Sequence, residues 1–249
     1  MERRNFIKGL ALLGFCPLCA PSGLAAEGVH WSYEGEAGPD HWGALSADNA
    51  ACSVGSQQSP LDITGAVKAD IPVIAIDWMK GGGEIVNNGH TIQINMPAGS
   101  KLNRGDKTYE LLQFHFHAPS EHLVEGRSFP MEVHFVHKAE SGTLGVLGVF
   151  FAPGAANATF ASLAVAFPAK EGEKAPADVD PSGMLPKTLG YWAYEGSLTT
   201  PPCSEIVDWM VAMEPIEVAA GDIEKFTALY AMNARPALAP NRRFILAST

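Results

Sequence analysis

Cysteine is scarce in this chain: it carries four in 249 residues. A disulfide-dense miniature fold is therefore excluded. Cys16 and Cys19 fall in an N-terminal stretch that reads as a leader, and their C-x-x-C spacing is taken as accidental. That leaves Cys52 and Cys203, far apart in sequence. In an oxidising compartment such a pair reads as a disulfide, worth about 5 kcal/mol in the chain-entropy model. Two buried free thiols are the alternative, and sequence does not measure their distance. Positive charge is also in short supply. Lys and Arg number 17 against 27 Asp and Glu, a formal net charge of −10. An acidic chain has no general attraction for nucleic acid or anionic lipid, so neither is an expected partner. Long apolar runs are missing too. The longest at the N-terminus, Gly9 to Cys19, is too short to span a bilayer comfortably.

That N-terminus nevertheless has an order. Arg3, Arg4 and Lys8 come first, then the apolar run, then small residues ending GLAA at Gly23 to Ala26. Basic, apolar and small in succession is the pattern of a bacterial export signal. The adjacent arginines resemble a twin-arginine signal, a route that carries folded proteins. Residues 1–26 are read as this signal, residues 27–249 as the exported domain, and the periplasm as its destination. Loss of three cations and one acid takes the charge from −10 to −12.

At 47% hydrophobic and 18% charged residues the chain can bury a substantial core. PVIAIDW, TIQINM, LGVLGVFF and IVDWMVAM are rich in Val, Ile, Phe and Trp and bounded by Gly, Pro and Asn, as strands are. Two helices are predicted. One runs from Ala158 to Phe167, stopped at Pro168. The other runs from Asp222, as N-cap, to Asn233, with Ile223, Phe226, Leu229 and Tyr230 on one face. Residues 170–186 read as a polar surface loop. Neither a repeat nor a composition break divides the chain, so one mainly antiparallel β domain is expected.

Chemistry concentrates in QFHFHAPSEHLVEGRSFPMEVHF, Gln113 to Phe135. Side chains alternate along a strand, so Gln113, His115 and His117 share one face. After a turn, Glu132, His134 and Val136 share another. Two neighbouring strands can then offer three imidazoles to one point, the donor set of a catalytic zinc site with its fourth position open. Gln113 and Glu132 stand where they can accept from the free ring N–H of His115 and His134 and orient those rings. A bare His-x-His pair more often only packs one ring and solvates the other, so the weight comes from the rest of the chain.

WSYEGEAGPDHW, QQSPLDI, NNGHTIQI, QFHFHAPSEH, MEVHFVHK, YWAYEGSLTTPPCSE, NARP and NRRFILAS occur together and in order. Each is modest alone. Jointly they make nearly the whole chain after the leader resemble the α-class carbonic anhydrases. The resemblance implies one domain built on a large central, mostly antiparallel twisted sheet with a few short surface helices. It implies zinc on His115, His117 and His134, and hydration of carbon dioxide by zinc-bound hydroxide. It assigns the partner of His117 to a backbone carbonyl near Asn233. Glu121 and Thr199 are implied as the pair that orients the hydroxide: a Thr that donates its one proton to a carboxylate must accept from its other neighbour. Thr199 N–H and Thr200 would meet bicarbonate or an anionic inhibitor, and aryl sulfonamides would bind as anions at the open zinc position.

Carbon dioxide is apolar and needs an apolar wall. Val136 shares the His134 face, and the resemblance adds Val146, Leu198, Val207 and Trp209. His90 matches the proton-shuttle position, a role suited to an imidazole of pKa near 6.5. Tyr33, Asn88 and Gln93 match the residues that order the intervening waters. His41, His122 and His137 read as structural, hydrogen-bonded residues, and His30 has no role. The segment between His117 and His134 is shorter than in many animal members, as in a compact bacterial form. Two other classes are weighed. A catalytically silent binding module on this fold would have lost zinc-binding histidines, and all three stand here. A zinc ester hydrolase differs in the ratio of ester to carbon dioxide turnover. A homodimer is compatible with the sequence and not specified by it.

Overall fold

The computed structural model describes residues 30–249; the stretch read as an export signal, with Cys16 and Cys19, lies outside them. No helix among the described residues is long and apolar enough to cross a membrane. In chain order the strands are β1 (Asp62–Ile63), β2 (Val67–Ala69), β3 (Ile74–Asp77), β4 (Gly81–Asn87) and β5 (Ile92–Asn95). There follow β6 (Lys101–Arg104), β7 (Lys107–His117), β8 (Leu123–Val124), β9 (Met131–Lys138) and β10 (Leu144–Pro153). The last are β11 (Lys174–Val179), β12 (Tyr191–Gly196), β13 (Val207–Ala212), β14 (Ile216–Val218) and β15 (Leu246–Ser248). Four short helices accompany them: α1 (Trp42–Leu45), α2 (Ala51–Val54), α3 (Ala158–Ala164) and α4 (Ala220–Thr227).

Thirteen strands form one sheet whose main path is β11-β4-β5-β7-β9-β10-β13-β12-β15-β2. Most neighbours are antiparallel; β10 with β13 and with β14, and β15 with β2, are parallel. The four apolar runs fall on β3, β5, β10 and β13 as the sequence predicts. One face of the sheet carries the main core, with Phe114, Phe116, Phe135, Phe151, Phe160 and Phe226. The other carries a smaller cluster that includes Val136, Val146, Tyr194 and Trp209.

β7 changes faces part-way along. Tyr109 and Leu111, both odd-numbered, belong to the main core, and so do the even-numbered Phe114 and Phe116. Between them, at Leu112, the register against β9 slips by one residue. This bulge reverses the parity of the strand. Beyond it, Gln113, His115 and His117 point away from the main core, and His115 stands directly opposite His134.

Three sequence expectations need correction. Residues 170–186 are not all loop. Lys174–Val179 form an edge strand paired only with β4, where Pro176 is tolerated because an edge has N–H groups to spare. The helix over Asp222 begins at Ala220, so Asp222 lies inside its first turn, bonded to Lys225, rather than capping it. It also ends at Thr227, because Asn233 is drawn out to bond Ala118 N–H and the carbonyls of Phe116 and His90. α3 stops at Ala164, short of Phe167.

Cys52 and Cys203 are joined as a disulfide, their Cα atoms 5.0 Å apart. It ties α2 to the segment that follows Thr199 and Thr200. A second cross-brace is polar. Asp208, 5% exposed on β13, accepts from Arg104 (2.8 Å), Lys107 (2.7 Å) and Tyr109 (2.7 Å). Tyr109 reaches it by lying over Gly145, where a Cβ would come within 2.9 Å of the ring. Burial alone would raise the Asp208 pKa, but the Lys107 and Tyr109 hydrogen bonds and the Arg104 charge hold it below the usual range. Its stabilisation is therefore full above the unfolded pKa, about 3.9, and is lost as pH falls through the lower folded value. Asp208→Asn should lower unfolding free energy at pH 7 by about 2 kcal/mol. Urea denaturation should show the gap to the parent protein narrowing below about pH 4; a gap independent of pH would remove the charge from the account.

Candidate metal centre

β7 and β9 together place three rings around one point. The ring centroids of His115 and His117 are 5.0 Å apart, His115 and His134 5.5 Å, and His117 and His134 4.6 Å. One ligand atom from each lies within 4.8 Å of the others, a set that can hold a metal ion. Each ring also has a nitrogen directed elsewhere. His115 Nδ1 meets Gln113 Oε1 at 2.9 Å, and His117 Nδ1 donates to the Asn233 carbonyl at 2.7 Å. His134 Nε2 lies 2.9 Å from Glu132 Oε1, close, although too far off the N–H direction for a well-formed hydrogen bond. The opposite nitrogens, His115 Nε2, His117 Nε2 and His134 Nδ1, are left for an ion.

Electrostatics suit that use. Burial, then repulsion from the other two rings, pushes the His115 pKa well below its ordinary value, and burial lowers that of His117. Both rings are thus held neutral, the form that metal ligation requires. Burial would lower His134 as well, but Glu132 and Glu121 outweigh it and raise its pKa. Burial would raise Glu132, yet His122 and His134 hold it well below the carboxylate range. Glu132 is anchored further by the backbone N–H groups of Glu121 (3.0 Å) and His122 (2.9 Å) and by the His122 ring (2.8 Å). Gly148, paired with His134, makes room: a Cβ there would sit 2.6 Å from Glu132 Oε1.

His117 Nε2 and Glu121 Oε2 are buried without a hydrogen-bond partner among the described residues, 3.6 Å apart. Such an orphan costs about 1–3 kcal/mol unless something satisfies it. A cation beside three imidazoles, with a carboxylate behind, does so, and a three-nitrogen set with room for one more ligand fits zinc.

The rings open into a cavity of about 160 Å³. Val136, Val146, Leu198 and Trp209 supply its apolar lining, and Tyr33, Asn88, His90, Gln93, Thr199 and Thr200 its polar lining. A larger groove of about 800 Å³ near Lys101, Glu110 and Lys138 carries mixed charge and none of these histidines. Val207, expected in the wall, is not among the residues around the cavity; it is buried in the smaller cluster together with Trp209 and Val146. Glu121 and Thr199 are both buried, but among the described residues no hydrogen bond joins them. Glu121 Oε1 instead accepts from the Arg235 backbone N–H at 2.8 Å, which leaves Oε2 free.

The His90 turn is held by Asn88, whose Oδ1 accepts from the backbone N–H of His90 and Thr91 and whose amide reaches Gln93. Burial, then the Glu121 charge, raises the Tyr33 pKa, so its phenol stays protonated. His122 and His137 are hydrogen-bonded and buried as expected. His41 is not: its side chain is exposed and does not cap α1. Sequence reasoning passed over Trp31, whose ring stacks on His90 at 3.7 Å, although it stands two residues before Tyr33 in a quoted motif. Arg235 and Gly148 were also passed over, and only contacts across the fold reveal them.

With this geometry in view, comparison with known proteins is direct. The family model for eukaryotic-type carbonic anhydrase matches residues 37–246. This chain belongs to the carbonic anhydrase family. A carbonic anhydrase of Pectobacterium carotovorum is 41% identical over 228 residues, covering 90% of this chain and 93% of the relative. One from a Nostoc species is 40% identical, covering 99% and 97%. Among solved structures, the α-carbonic anhydrase of Thermovibrio ammonificans, in complex with the inhibitor sulfanilamide, superposes with a TM-score of 0.86 at 42% identity, covering 88% of this chain and 99% of that one. A carbonic anhydrase centre of this kind depends on ring orientation. Gln113→Ala should weaken zinc affinity about 10–100-fold, read by competition with a chelator; an affinity within twofold of the parent would deny Gln113 that role.

Proposed function

We propose that this chain catalyses the reversible hydration of carbon dioxide to bicarbonate and a proton, using zinc held by His115, His117 and His134. What supports this most is the convergence of three ring nitrogens within 4.8 Å while the opposite nitrogen of each ring faces its own partner. Zinc in such a site supplies a charge that lowers the pKa of a coordinated water from about 15.7 to about 7, a magnitude established for carbonic anhydrase itself and not obtained from this chain.

The chain's own residues do the rest. Gln113, the Asn233 carbonyl and Glu132 fix the three rings, so that no reorganisation is needed at the reacting point. Glu121 Oε2, with Oε1 already committed to Arg235, is the acceptor available to the Thr199 hydroxyl. A Thr199 that donates there presents only lone pairs to the cavity and so selects and orients a nucleophile that still carries a proton. Val136, Val146, Leu198 and Trp209 hold carbon dioxide without competing for it by hydrogen bonds. Thr200 and the Thr199 N–H receive the bicarbonate oxygens and are where sulfonamides and small anions would compete. Protons leave by waters ordered at Tyr33, Asn88 and Gln93 to the His90 imidazole, and from there to buffer.

The working form is residues 27–249 in the periplasm, after removal of the leader. A disulfide between Cys52 and Cys203 is at home in such an oxidising compartment.

Purified mature protein should contain about one zinc per chain and hydrate carbon dioxide rapidly in stopped flow. Chelation by dipicolinate, or His134→Ala, should remove metal and activity together; an active metal-free sample would overturn the mechanism. An ester hydrolase would instead favour activated esters over carbon dioxide. His90→Ala should lower kcat in weak buffer about 10-fold or more while sparing kcat/KM; equal losses in both would end its role as shuttle.

A further inference from the structure

The mouth of the cavity is crowded with titratable groups that the mechanism above does not use. The His90 ring is stacked on Trp31 (3.7 Å, 8° between planes), and the His30 ring lies 5.5 Å from it. On the residue before it, Gly89, a Cβ would sit 2.7 Å from the carboxyl carbon of Glu171. The Glu171 carboxylate thus covers the backbone of the His90 turn. It is held there by its neighbours: Gly172 N–H donates to the Asn87 carbonyl at 2.8 Å, and Asn87 N–H to the Glu173 carbonyl at 3.1 Å. Tyr230 also contacts Asn87, but burial and then Glu171 push its pKa up to about 12, so it remains a neutral phenol at working pH.

We propose that Glu171 and His30 are opposed positioning residues for proton transfer through His90: the carboxylate favours the imidazolium, and a protonated His30 drives the proton off towards buffer. This rests on His90 being the shuttle. Geometry supplies the two charges within reach, and both are exposed, so each acts through water and is screened by salt. Burial, then His30, lowers the His90 pKa from its ordinary value, while Glu171 acts in the opposite sense. A shuttle works best when its pKa stands near the operating pH, between the donor inside and the buffer outside. A carboxylate and a second imidazole on separate segments let that value be set without touching the three converging histidines.

The test is proton NMR titration of the His90 ring signals in the zinc-loaded mature protein, assigned with His90→Ala. Glu171→Gln should lower the His90 pKa and His30→Gln should raise it. The double variant should fall between the two, and both shifts should shrink in 1 M salt, where the screening length drops to about 3 Å. Shifts of the same sign, or none, would overturn the inference. The pH profile of kcat in weak buffer should move with the NMR value. If the NMR values move as stated and the kcat profile does not follow, the electrostatic coupling to His90 is real but the shuttle role fails, and with it the role in proton transfer; unmoved NMR values beside a normal His90→Ala defect would overturn the inference alone.

Discussion

The two ends of β7 send odd-numbered residues to opposite faces of the sheet, and the candidate metal centre depends on that reversal. Were the strand regular through Leu112, with no bulge, Gln113, His115 and His117 would continue the row begun by Tyr109 and Leu111 into the main core. Phe114 and Phe116 would take their place in the cavity. Absorbing Leu112 in a bulge therefore lets this strand anchor the core at both ends while Gln113, His115 and His117 face the other side.

From that reversal the remaining architecture follows by contact. β9 lies antiparallel to β7 with His134 opposite His115, so the third ring arrives from the adjacent strand without a loop. Gly148 on β10 leaves the volume that the Glu132 carboxylate occupies. Asn233, beyond the end of α4, bonds the Phe116 carbonyl of β7, and the next two residues bring Arg235 to Glu121. The guanidinium of Arg235 then bonds Gln58 and the carbonyls of Ser59 and Cys52, so one buried residue ties the disulfide, through its side chain, to the carboxylate, through its backbone. A desolvated charge of this kind is tolerated because several acceptors surround it.

Much of the centre was legible because its logic is local. Period-two alternation places Gln113 with His115 and His117, and Glu132 with His134 and Val136. Those relations need no knowledge of the fold. What stayed hidden depends on neighbours distant in sequence. Leu112 reads as one more apolar residue, and nothing in its flanks announces a bulge. β11 hides behind Lys, Pro and Asp because an edge strand need satisfy only one partner. The early end of α4 is set by Asn233, whose partners lie more than a hundred residues away. Val207 shares the strand face of Trp209, and only packing in three dimensions leaves it in the smaller cluster and off the cavity lining.

β15 sits between β12 and β2, and its pairing with β2 is parallel. From Val67 to Leu246 is 246 − 67, about 180 residues, so β2 emerges long before the strand that will cover it. At about 5–20 residues per second on the ribosome, that interval is on the order of 10–40 s. For that time a nascent chain carries an uncovered strand, short and exposed, and the charge of Lys68 discourages it from pairing with a neighbour. Final closure of this sheet is therefore an event late in synthesis, and crowding of nascent chains should matter more to its yield than the stability of the finished protein.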